Sequence, residues 1–176
     1  MDFKERYEKK VVPEIMKRHG YTSPFLVPHL KKIAVNIGIG RIKDEKEREF
    51  VSRQLALLAG QKPVLRPARK SIAAFKIRKG MLSGLMVTLR GRRMYDFLSR
   101  LCDVTLPRSR DFRGVSESSV DNSGNLTIGI KEHIAFPEIM GEDVKTIFGL
   151  EATIVTNAKT REEALEMYRL LGIPLK

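Results

Sequence analysis

With 176 residues and 42% apolar content, the chain is long and hydrophobic enough for one domain with a substantial core, which excludes wholesale disorder. Its net charge is +12, and its one cysteine excludes both an internal disulfide and a cysteine-built zinc cluster. No stretch approaches the roughly 20 apolar residues that span a bilayer, and the opening Met-Asp-Phe-Lys-Glu-Arg lacks an apolar signal segment, so a reducing cytoplasm is the expected setting.

Taken in order, Phe3, Tyr7, Val11 and Ile15 recur every four residues and predict a helix from Asp2 to about Arg18, kinked or broken at Pro13. Tyr21 to Pro28 is a turn-rich connector. Lys31 to Gly40 alternates strictly, with Ile33, Val35, Ile37 and Ile39 on one side and Lys32, Ala34, Asn36, Gly38 and Gly40 on the other. That second face is small and polar. It suits the approach of a nucleic-acid backbone or base edge, and equally a plain solvent-facing sheet side. A second helix spans Asp44 to Ala59, with Asp44 as its cap and Glu47 at capping-box spacing. Phe50, Val51, Leu55 and Leu58 form its buried stripe, and Gly60 ends it. Val64 to Arg66, between Pro63 and Pro67, reads as an edge strand or a bulge.

Ala68 to Gly84 holds five basic residues (Arg69, Lys70, Lys76, Arg78, Lys79), no acidic one and no helical rhythm, which predicts a long mobile loop. Leu85 to Arg90 is the next strand; pairing with 64–66 would make the loop a hairpin tip. A third helix follows from Arg92 to about Cys102, with Met94, Phe97, Leu98 and Leu101 inward. Cys102 sits in that apolar pattern and is expected to be packed rather than reactive. Asp103 to Leu106 is expected to extend briefly before a second basic loop, Pro107 to Gly114, built around Phe112. The turn Asn122–Asn125 leads into a strand at Leu126–Ile130, then a long connection of acidic tone from Lys131 to Gly149. Glu151 to Thr156 is the last strand. Thr160 and Glu163 make a capping box for a final helix that buries Ala164, Leu165, Tyr168 and Leu171. Hairpin-like connections and one apolar face per strand predict an α+β fold. Its sheet is open and mainly antiparallel, with helices packed on one face and a long basic hairpin loop at 68–84, all in a single domain over residues 1–176.

The charge is local. Between Lys62 and Arg113 fourteen basic residues face three acidic ones, so this third of the chain holds +11 of the total +12. Phe50 to Tyr95 contains eleven Lys or Arg and no Asp or Glu. A one-sign field of this kind points to phosphates, which Lys and Arg bind through counterion release. Phe75 and Phe112 are aromatics among cations, suited either to stack on a base or to anchor their loops. Catalytic patterns are missing: Gly80 opens no phosphate-binding loop, and His19, His29 and His133 lack metal-ligand spacing. No enzyme, metal, cofactor, small-molecule substrate or membrane partner is expected.

Several stretches together are similar to the bacterial large-subunit ribosomal protein L-five family, nearly end to end. They are Val27-Pro28 with Ile33–Gly40, Leu57–Pro63, Ala68–Arg78, Val87–Gly91, Leu106–Gly114 and Phe136–Ile139. Met81-Leu82 stands where many relatives carry Tyr-Pro, and Ala74 where Gly is common. The resemblance implies a structural protein of the cytoplasmic ribosome's central protuberance. The sheet surface would hold 5S rRNA through Lys32, Asn36, Gly38, Gln61, Lys62, Thr88 and Arg90, with 23S rRNA nearby. The first basic loop would reach P-site tRNA through Lys70, Ser71, Phe75, Lys76, Arg78 and Lys79. Arg108, Arg110, Arg113 and Glu138, with the 132–141 connection, would meet a small-subunit protein at an intersubunit bridge. The acidic Glu138, Glu142 and Asp143 would suit a basic protein there.

Overall fold

The structure, a computed structural model, describes residues 2–110, 112–140 and 146–176. Alternation of branched apolar residues with small or polar ones produces five strands: β1 (Leu30–Gly38), β2 (Val64–Pro67), β3 (Leu82–Leu89), β4 (Leu126–Ile130) and β5 (Leu150–Thr156). They form one sheet in the order β2-β3-β1-β5-β4, and every neighbouring pair is antiparallel. β1 is thus central, with Val35 opposite Val87 on one side and Ala152 on the other. Val35, Ile37, Leu85, Val87, Ile128 and Ile154 line the buried side of the sheet. Helices cover it: α3 (Glu45–Ala59) contributes Val51, Leu55 and Leu58, α4 (Gly91–Arg100) Met94, Phe97 and Leu98, and α6 (Arg161–Leu171) Ala164, Met167, Tyr168 and Leu171. The buried residues form one cluster from Phe3 to Ile173. At about 1.5–3 kcal/mol for each fully buried large aliphatic or aromatic side chain, this side dominates the stability and leaves the opposite face unconstrained by packing.

Two departures from the sequence expectation share a cause. The first helix does not break at Pro13. α1 (Phe3–Arg6) continues through a π-helical turn, Tyr7–Val11, into α2 (Val12–His19), where Pro13 is the second residue. Proline has no N–H to donate, and its ring crowds the carbonyl four residues back. The wider turn, closed by the Val12 N–H donating to the Tyr7 carbonyl, makes room for it. Asp103 to Leu106 is likewise helical rather than extended. A second π turn, Leu101–Thr105, is closed by the Leu106 N–H on the Leu101 carbonyl, and Pro107 again comes second in the short α5 (Leu106–Arg108).

The caps differ from each other. At α3 only half the expected box forms: Asp44 accepts from the Lys46 N–H at 3.1 Å, while Glu47 turns away to accept from the Thr146 hydroxyl at 3.1 Å. At α6 Thr160 accepts from the Glu163 N–H at 3.3 Å, and Glu163 accepts from the Lys159 N–H at 2.8 Å. β2 is an edge strand, exposed along its length, with a register shift between Arg66 and Pro67. Among the described residues no helix is long and apolar enough to cross a membrane.

Candidate nucleic-acid interface

Because side chains alternate along a strand, the residues between the buried positions of β1 all emerge on the helix-free side. Asn36 and Gly38 are exposed there, and Lys32 and Ala34 are half-buried. Thr88 of β3 lies directly opposite Ala34 on the same face, and Arg90 continues the alternation with extended backbone just before α4. Gln61 is tied to the same strand, its Nε2 donating to the Thr88 carbonyl at 3.3 Å, and Lys62 follows it, exposed. The sheet therefore gathers Lys32, Asn36, Gly38 and Thr88 onto one surface, with Gln61, Lys62 and Arg90 at its border. The face is kept low by close chain contacts. At Gly84 an added Cβ would sit 3.2 Å from the Ile37 carbonyl.

Register brings in residues that the sequence reading missed. One row across the sheet runs Val64, Met86, Asn36, Glu151, Gly129; the next runs Thr88, Ala34, Thr153, Thr127. Thr127 and Thr153 touch through their hydroxyls at 3.2 Å. The alternation of Glu151–Thr156 holds this information, but only the strand order shows that Glu151 and Thr153 adjoin Asn36 and Ala34.

The first basic segment joins β2 to β3, which pair as a hairpin. It contains a smaller hairpin, with Ile72 and Ile77 exchanging backbone hydrogen bonds at 2.9 and 3.2 Å around a 3-10 turn, Ala73–Phe75. Lys76 takes φ +54 just after that turn. Lys70, Ser71, Phe75, Lys76, Arg78 and Lys79 are all exposed. Phe75 is 73% exposed, so it does not anchor the loop. Ser71 has a structural task here: its Oγ accepts from the Lys79 N–H at 3.0 Å. Among the described residues none of the five cations in this segment takes part in an ion pair.

The second basic loop is arranged differently. Arg108, Arg110 and Arg113 are exposed, and Phe112 packs against the core and does anchor its loop. Arg108 lies against the Met140 sulfur at 3.0 Å. Glu138 is in an ion pair with Arg100, its side chain 24% exposed, so its charge already has an internal partner. Arg108, Arg110 and Arg113 border an open cleft of about 1120 Å³ whose other wall is the outer edge of β4. Asp111, Glu142 and Asp143, and Gly141 at the end of the 132–141 connection, lie outside the described residues. His133 is buried, stacked on Phe148 with ring centroids 3.8 Å apart, and desolvation pushes its pKa down. Cys102 is buried and its thiol pushed up to about 12, chiefly by desolvation, which keeps it unreactive.

Comparison with known proteins matches both parts of the chain. Residues 23–78 match the family described as "Ribosomal protein L5", and residues 82–175 match the C-terminal part of that ribosomal family. The division falls inside the β2–β3 hairpin, so the two matched parts share one sheet. The large ribosomal subunit protein uL5 of Dictyoglomus turgidum is 51% identical over 174 residues, covering 98% of this chain and 97% of that one. The protein of the same name from Kosmotoga olearia is 52% identical over 174 residues (98% and 95%), and that of Halothermothrix orenii 51% over 171 (97% and 96%).

Proposed function

The chain belongs to the ribosomal protein L5 family, and from that premise we propose that it is a structural, non-enzymatic constituent of the large ribosomal subunit that binds 5S rRNA through the open sheet face. Acting as one RNA-binding domain in the cytoplasmic ribosome, it attaches 5S rRNA in the central protuberance beside 23S rRNA. The hairpin finger contacts P-site tRNA through Lys70, Phe75, Lys76, Arg78 and Lys79, with Ser71 holding its shape. Arg108, Arg110 and Arg113 meet a small-subunit protein at an intersubunit bridge.

The observation that supports this reading best is the helix-free face. Lys32, Asn36, Gly38 and Thr88 share it, and among the described residues no helix or loop packs over Asn36, which is exposed. Such a surface offers hydrogen-bonding groups at close range to base edges and 2′-hydroxyls, while flanking cations neutralise phosphates. The test compares affinity for 5S rRNA with affinity for an RNA duplex of equal length. Asn36→Ala is expected to weaken 5S binding by roughly tenfold, the worth of a good polar base contact, with thermal unfolding unchanged. Equal affinity of the wild type for both RNAs would refute specific recognition.

A further inference from the structure

We propose that Asn36 and Glu151 together form a recognition site for one unpaired guanine of the bound RNA, an inference that rests on the assignment of the open face to RNA. β1 and β5 pair so that the two residues are directly opposite on that face, with Cβ atoms about 5 Å apart. They stand beside a shallow hollow of about 430 Å³ that Gly38, Gly129 and Gly149 also line, with Lys131 on its rim. The hollow exists because side chains are missing. A Cβ on Gly38 or Gly129 would meet no atom within 4 Å, so the space above each is open. At Gly149 a Cβ would come within 3.0 Å of the Ile130 carbonyl, so close packing keeps that position bare.

Glu151 is the informative residue. It is exposed, and among the described residues its carboxylate takes part in no ion pair. A bare carboxylate on a surface that meets phosphates repels them. That cost is offset where the carboxylate meets hydrogen-bond donors of the RNA. Guanine carries two adjacent donors, N1–H and N2–H, which match the two carboxylate oxygens, and its O6 beside them accepts from the Asn36 amide. Adenine and cytosine each set an acceptor beside their single amino group, and uracil flanks its imino proton with two carbonyls; each turns an oxygen or nitrogen lone pair toward Glu151. The donors are free only when the base is unpaired, the state in which proteins read RNA sequence. Lys131 is a cation available to the adjoining phosphate.

Glu151→Gln keeps the shape and removes the charge, and the alternatives differ in sign. If Glu151 only repels phosphate, the variant binds 5S rRNA more tightly. If it holds guanine, affinity falls roughly tenfold, as for loss of one bidentate base contact. Kethoxal, which attacks N1 and N2 of unpaired guanine, supplies a second readout. Wild-type protein is expected to protect a guanine that stays reactive under saturating Glu151→Gln or Glu151→Ala. Thermal unfolding of both variants, expected to match wild type, confirms that they fold. Unchanged or tighter binding by Glu151→Gln, or no guanine whose protection depends on residue 151, overturns the guanine site and leaves the RNA face standing. Wild-type protein that binds 5S rRNA no better than duplex overturns the RNA face and the site with it.

Discussion

Gly124 shows how one residue can fix a turn. It has φ +77, a conformation costly to side chains with a Cβ, and an added Cβ would lie 2.8 Å from that of Ala164 in α6. Its carbonyl also receives the Tyr168 hydroxyl at 2.8 Å and the Thr156 hydroxyl at 3.1 Å. The turn therefore docks β4 and β5 onto α6. Gly124→Ala combines left-handed strain with overpacking and is expected to lower stability by about 2–5 kcal/mol, read from urea unfolding. The turn is legible in Asn122-Ser123-Gly124-Asn125, but its docking is not, because Ala164 and Tyr168 are far away in sequence. Phe75 and Phe112 make the same point. Both are aromatics among cations, and only packing distinguishes the exposed one from the anchor.

At the scale of elements, local pattern predicts what local forces decide. β1 is evident from four alternating apolar residues, because the sheet's pleat and burial on one side impose that period. The two π turns are not evident. A proline two residues beyond each turn is compatible with a break, a kink or a widened turn, and packing of the flanking helices selects the last. The hairpin finger lies between these cases. Its charge is plain, whereas the Ile72–Ile77 pairing and the Ser71–Lys79 bond that shape it are not visible in composition. Since among the described residues none of Lys76, Arg78 or Lys79 supports the fold through an ion pair, replacing all three with Ala is expected to leave stability and 5S rRNA binding unchanged. Retention of P-site tRNA on reconstituted ribosomes is expected to fall. A collapse of 5S binding would show that the finger and the sheet face do not divide the work in this way.

Across the whole molecule, the excess of positive charge is concentrated in one third of the chain. Ion pairs join Arg18 to Glu14 and Glu166, Arg100 to Glu138 and Arg169 to Glu117, all on helices or loops away from the finger, and the His19 ring is hydrogen-bonded to Glu166. The middle third keeps its +11 excess, and among the described residues only Arg100 of its cations is paired with an acid from outside it. Binding to 5S rRNA is accordingly expected to weaken by at least about 100-fold between 50 and 200 mM salt, with log affinity linear in log salt. Asn36→Ala removes no charge, so its line should run parallel to that of the wild type. A salt-independent affinity would rule out phosphate contacts as the main source of binding.

The position of β1 has a consequence for the order of events as the chain is made. The central strand emerges first, yet its neighbours β3 and β5 end at Leu89 and Thr156. At about 5–20 residues per second, completing both sides takes on the order of ten seconds after β1 is made. Until β5 is made, Ile33, Val35 and Ile37 have a sheet partner only on the β3 side, and Asn36 has Met86 but not Glu151 beside it. The two-sided setting of Asn36, with Glu151 opposite it, is therefore complete only once the last strand has been made.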